Sequence, residues 1–172
     1  MLGAGAGTGV VATENGNGVL HKTVLLMTGL SVAMGATALV GFHGSQKIYD
    51  FPAGNIYILG ATTDITTLAG AGGISDTAAL VGAIGTVAAA TNNATLTGAE
   101  ADVVPSVAGT LSGGAGVLLG KSITATGAVF DGTGTATDAI LNFAVPDTLP
   151  GANDTLTVNG TITIVWLNLG DN

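Results

Sequence analysis

His21 and His43 are the only imidazoles in this chain of 172 residues, and any metal or general-base chemistry would begin with them. A metal site needs three or four ligands from His, Cys, Asp or Glu at suitable spacing. Here only Glu14 and Asp50 lie nearby in sequence, so both histidines read as structural or interface residues. Gly120-Lys121-Ser122 has the ending of a phosphate-binding loop. The complete pattern requires a glycine five residues before Gly120, where this chain has Ala115, and it places Leu118 and Leu119 where backbone amides should wrap phosphate. Acid–base work by carboxylates needs two acids in contrasting environments. Asp131, Asp138, Asp147 and Asp154 instead fall among turn signals such as Asp131-Gly132, where aspartate bonds its own backbone. A Ser-His-Asp constellation is spatial, but no Gly-x-Ser-x-Gly elbow is present. The acceptor triplets that begin at Asn93, Asn153 and Asn159 are what an Asn- and Thr-rich chain produces by chance. The expectation is a protein with no catalytic, cofactor-binding or metal-binding residues, and no cofactor.

Composition points the same way. There is no arginine and no cysteine, and 11 acidic residues against three lysines give a formal charge of −8. Binding nucleic acid through its phosphates requires clustered cations, and Lys22, Lys47 and Lys121 are far apart. No nucleic-acid partner is expected, and a disulfide framework is excluded. Apolar residues make up 47% of the chain but aromatics only 4%, so the core is built from short side chains. Interiors still pack to crystal-like density, which predicts that the chain completes its burial by homo-oligomerisation.

The elements that must position these residues are strands. From Leu156 to Trp166 the even positions are apolar or glycine, and threonine or asparagine fills most of the odd ones, the period of a half-buried strand. Asn159-Gly160 is a hairpin signal. A hairpin there would put Val158 and Thr161 on one face, so a single strand with Gly160 at a bulge or close contact is predicted. Lys47 to Tyr49 runs into the turn Phe51-Pro52-Ala53-Gly54, and Asn55 to Leu59 resumes a strand. Ala139, Leu141, Phe143 and Val145 share a face opposite Asp138 and Asn142 until Pro146. Gly85 to Ala89 and Ile123 to Thr126 are further predicted strands. Thr97-Gly98-Ala99-Glu100 fits a capping box, cut short by Pro105, and Ser75 to Val81 is read as a second helical turn.

Val24 to Phe42 is 19 residues without a charge, long enough to span a bilayer. Its glycines and hydroxyls favour strands of a buried sheet, so no membrane association is expected. Met1 to Gly18 has neither the basic residue nor the compact apolar core of a secretory signal. With Gly3, Gly5, Gly7 and Gly9 alternating with small residues, residues 1–18 read as a flexible arm. Ala69 to Gly73 and Gly113 to Gly120 read as flexible loops. The predicted fold is all-β, an antiparallel, jelly-roll-like β-sandwich over residues 19–172 carrying that arm.

Thr13 to Lys22, Lys47 to Gly54, Val129 to Thr133, Val158 to Trp166 and the closing Gly170-Asp171-Asn172 resemble segments of tailed-bacteriophage structural proteins. The resemblance covers most of the chain from about residue 13 and is similar to head decoration, or cement, proteins. It carries no catalytic signature and transfers no functional residues. It implies a virion protein on the outer surface of an icosahedral capsid, with the major capsid protein as partner, a trimer favoured, and lattice contacts from the arm. A receptor- or glycan-binding adhesin would need exposed aromatics, for which Tyr49, Tyr57 and Trp166 are the candidates. A tail tube subunit would stack in rings.

Overall fold

A computed structural model describes residues 4–5, 7–37, 41–69, 73–74, 79–90, 95–110, 119–123, 129–146 and 153–170. Its strands are β1 (Ala4–Gly5), β2 (Val10–Gly16), β3 (Leu20–Thr37), β4 (Gly41–Asp50), β5 (Gly54–Ala69), β6 (Ala79–Gly85), β7 (Val104–Thr110), β8 (Leu119–Ile123), β9 (Val129–Gly132), β10 (Asp138–Val145) and β11 (Asp154–Asn168). Every pairing is antiparallel. The order is β7-β6-β10-β4-β3-β11-β5-β8, with β1 added to β4, β2 to β3 and β9 to β5. The ends of this path, β7 and β8, approach each other, so the sheet curls around one core. Thr63 and Ile65 of β5 line a small cavity together with Ile84, Val104 and Leu141 of β6, β7 and β10, so the two halves of the sheet face one another. The fold is all-β and antiparallel as predicted, and compatible with a jelly-roll-like sandwich.

The alternation read from Leu156 to Trp166 holds. β11 runs unbroken through Gly160, with Leu156, Val158, Ile162, Ile164 and Trp166 buried. Gly160 has φ of +125°, and a Cβ there would lie 2.2 Å from the Asp64 carbonyl oxygen, so only glycine lets β5 pass so close. Its neighbours bend around it. β3 buries Leu25 and Met27, then Leu30, Val32 and Met34, changing parity at Gly29, where two residues oppose one of β11. Asn159 fastens this bulge by accepting the Gly29 amide at 2.8 Å. β5 changes parity at Leu59 in the same manner, between Ile58 and Ala61.

Several sequence expectations are corrected. Within residues 1–18, read as a flexible arm, Val10–Gly16 form β2 and pair with Met27 to His21, while Ala4–Gly5 pair with Asp50 and Tyr49. β3 and β4 pair only at Gly35–Thr37 and Gly41–His43, and β1 and β2 join their edges further along. A strand ladder depends on backbone hydrogen bonds, which a glycine-rich composition does not forbid. The helical turn read over 75–81 is replaced at its described end by β6, with 75–78 outside the described residues. The strand read over Gly85 to Ala89 stops at Gly85. There the backbone of the 3-10 turn Gly98–Glu100 crosses so closely that a Cβ on Gly85 would lie 2.2 Å from the Ala99 oxygen. Thr86 and Val87 then donate to that oxygen instead of to a strand.

The capping box is present, with Glu100 accepting the Thr97 amide at 3.3 Å. Pro105 falls inside β7, which pairs only with β6, an edge position that tolerates a missing donor. Ile123 closes β8, and the rest of the strand read to Thr126 lies outside the described residues, as do 70–72 and 113–118 of the two predicted loops. Of Val24 to Phe42, residues 24–37 belong to β3 and 41–42 to β4, with 38–40 outside the described residues. Among the described residues no helix is long and apolar enough to cross a membrane.

Candidate functional site

The densest polar chemistry lies where β2, β3, β4 and β11 meet. The β2–β3 hairpin turns at Gly18 and Val19, with Gly18 at φ of +84° and the Asn17 amide bonded to the Leu20 oxygen at 3.1 Å. That turn folds Glu14 back beside His21, whose Nδ1 lies 2.7 Å from Glu14 Oε1, with the two side chains 5% and 3% exposed. Tyr49 on β4 donates its hydroxyl to Glu14 Oε2. Thr23 donates to the Tyr49 oxygen at 3.4 Å, and the Trp166 Nε1–H donates to Thr23 at 2.9 Å. The donors thus run from Trp166 through Thr23 and Tyr49 and converge, with His21, on one carboxylate. His21 also stacks on Trp166 at 4.2 Å between centroids, while Phe51 meets Tyr49 and Trp166 edge-on.

A carboxylate–imidazole pair is the base half of a hydrolytic triad, but the other half is missing from this arrangement. The nitrogen that would serve a nucleophile, Nε2, faces the Gly18 carbonyl at 3.3 Å. The nearby hydroxyls of Tyr49 and Thr23 are committed to Glu14 and to one another. The arrangement stitches strands together. Among the described residues no group of three or more His, Asp or Glu could hold a metal.

A second buried cluster holds residues 86–89 and 98–102 against the opposite face of β10. Asn142, fully buried, donates to the Val87 and Glu100 oxygens at 2.9 and 2.8 Å and accepts from Ser45 and the Ala89 amide. Asp102 accepts from the Thr86 amide and hydroxyl at 2.9 and 2.8 Å. The face of β10 opposite the core, read as polar, is therefore covered too.

The remaining sequence candidates separate. Gly120-Lys121-Ser122 sits within β8, in register with Asp64 to Thr62, in an extended ladder and not in a loop that wraps phosphate. His43 is half-buried on β4, between Gly35 and Ala144. Asp131 takes the predicted turn role, accepting from the Thr133 hydroxyl at 2.6 Å and its amide at 3.1 Å, bonds that hold the carboxyl below its usual range. Asp154 accepts the Ile74 and Thr155 amides, and Asp147 lies outside the described residues.

Asp138 faces Asp50 across the β4–β10 ladder, with the Lys47 ammonium 2.6 Å from Asp50 and 3.4 Å from Asp138. Burial pushes both carboxyls up. At Asp50 the hydrogen bonds from Lys47 and Asp138 outweigh it and hold the group low. At Asp138 the hydrogen bond with Asp50 and its charge add to burial and hold the group high. A folded-state pKa above the unfolded one means stability is lost as pH rises from the ordinary carboxylate range through the raised value. Asp138→Asn removes that loss and keeps a donor for Asp50. The variant is expected to melt no lower than the parent at pH 7, and to lose ground to it as pH falls to about 4 and below. Melting curves across that range check the sign, and a variant less stable at pH 7 contradicts it.

Glu14 and His21 were visible in the sequence as neighbours, but not as partners. Gly18 was the signal that could have joined them, since a glycine at the first central position marks a tight two-residue hairpin. Nothing in the sequence pointed to Tyr49 and Trp166 as members of the same cluster. Comparison of the chain with protein-family models, with curated proteins and with solved structures finds no match.

Proposed function

We propose that the protein is a non-enzymatic virion component, a head decoration or cement protein that binds the outer surface of an icosahedral phage capsid and stabilises it. The observation that carries this reading is the convergence on Glu14: the side chains best suited to chemistry are spent holding β2, β3, β4 and β11 together. Such a molecule acts through its shape and surface. An acidic, arginine-free chain fits the outside of a shell, away from packaged nucleic acid. The resemblance of its segments to decoration proteins supports the same role, with the major capsid protein as partner. A ligand that binds only the mature lattice stabilises it by linkage, and many copies multiply the effect.

The adhesin alternative loses support from two of its three aromatics, because Tyr49 and Trp166 are fully buried. Purified protein added to expanded heads that lack it should bind at a fixed copy number and raise their temperature of rupture. Heads that sediment without the protein reject the reading.

A further inference from the structure

The outer face of the β3–β11–β5–β9 region carries an apolar row set by register: Leu20 lies beside Leu167, Leu167 beside Tyr57, and Tyr57 beside Val129. Leu59, pushed outward by the β5 bulge, and Leu169, just beyond β11, extend it on either side. Leu20, Leu59, Val129 and Leu169 are 45%, 41%, 58% and 49% exposed. Together the row and its flanks form a contiguous exposed apolar patch, the kind of surface that marks an interaction site.

The charges around this patch are placed diagonally. Lys22 stands on β3 beside Val165, one step from the row in one direction, and is exposed. Asp131 stands on β9, one step from the row in the other direction, and is exposed too. Three strand spacings, about 14 Å, separate them sideways before their offset along the strands is added. They therefore cannot pair within one chain. A twofold axis lying in the plane of the face, along the other diagonal, would set Lys22 of each copy on Asp131 of its partner. The strands of the two copies would then cross at about 90°, one of the two ways in which sheets pack face to face.

We infer that this face is a self-complementary docking surface for a second copy of the chain, closed by two reciprocal Lys22–Asp131 ion pairs around the Leu20–Leu167–Tyr57–Val129 row. Charge complementarity selects this occupant. A copy carrying −8 would repel another over most of its surface, whereas here the apolar ground is uncharged and the flanking charges match. The contact closes at two subunits, unlike the trimer expected from sequence, and it does not depend on which surface the protein coats.

Sedimentation equilibrium of the full chain at micromolar concentration should give twice the 16.5 kDa monomer mass. Zero-length carbodiimide coupling of the same sample should yield an intermolecular Lys22–Asp131 link by mass spectrometry. Val129→Asp, at an exposed edge position, should weaken the dimer at least tenfold while leaving the melting curve close to that of the parent. Lys22→Glu should weaken it as well, and pairing it with Asp131→Lys should restore it. If the double variant fails to fold, the parent cross-link still decides. A monomeric or trimeric mass overturns the inference, as does a dimer whose cross-links omit this pair. A monomer whose Val129→Asp variant no longer binds heads also overturns it, and assigns the face to the shell instead.

Discussion

Trp166→Ala is expected to lower the unfolding free energy by about 3–5 kcal/mol, the range for removing a large buried aromatic from a packed core. The residue is fully buried, stacked on His21 and met edge-on by Phe51. Its loss opens a cavity, removes two aromatic contacts and takes away the donor that Thr23 accepts at 2.9 Å. In a domain of this size the midpoint should fall by about 6–20 °C. The chain has one tryptophan, so circular dichroism during urea or thermal unfolding is the appropriate measurement. Trp166→Phe, which keeps a ring but not the N–H, should fall between parent and alanine variant. A loss under about 1 kcal/mol, typical of surface sites, would show that this corner is not packed as described.

Glu14→Ala is expected to be comparably damaging, by about 3–5 kcal/mol, because it leaves buried polar partners behind. His21 and Tyr49 both direct polar atoms at this carboxylate from different strands. Glu14→Gln, which keeps the shape and one oxygen, should cost less. Hydrogen exchange separates this account from a loose arm. Amides of Val10–Gly16 should be protected in the parent and exchange markedly faster in the alanine variant. If those amides exchange freely in the parent, β2 is not held in the ladder and the stitch does not exist. Truncating residues 1–18 therefore removes strands of the ladder, so any binding assay on the truncated chain must be read beside a melting curve.

How much the sequence revealed depended on where the backbone is regular. β11 keeps one parity of buried positions on both sides of Gly160, so its apolar positions, its continuity and the special place of Gly160 were all legible. β3 and β5 carry the compensating bulges at Gly29 and Leu59, and each loses its alternation there. β3 consequently resembled a membrane-length apolar run more than a half-buried strand. β6 was misplaced because its end is set by a backbone crossing at Gly85, a contact from 14 residues downstream that leaves no local pattern. At the N-terminus, composition suggested entropy where the fold supplies a backbone ladder. The polar cluster was hidden for a different reason. Its members are 7, 35 and 143 residues apart along the chain, joined only after four strands have met.

The sheet's latest strand, β11, is an interior one. β3 and β5 flank a gap that only β11 fills, with Leu25 opposite Ile162 and Thr63 opposite the same residue. A ribosome therefore exposes two long, apolar, half-paired edges well before the segment that will separate them emerges. Contacts so distant in sequence form slowly, and unpaired strand edges in that interval invite pairing with neighbouring nascent chains. Yield of native protein should accordingly respond to expression temperature and to chaperone supply more steeply than its equilibrium stability alone suggests.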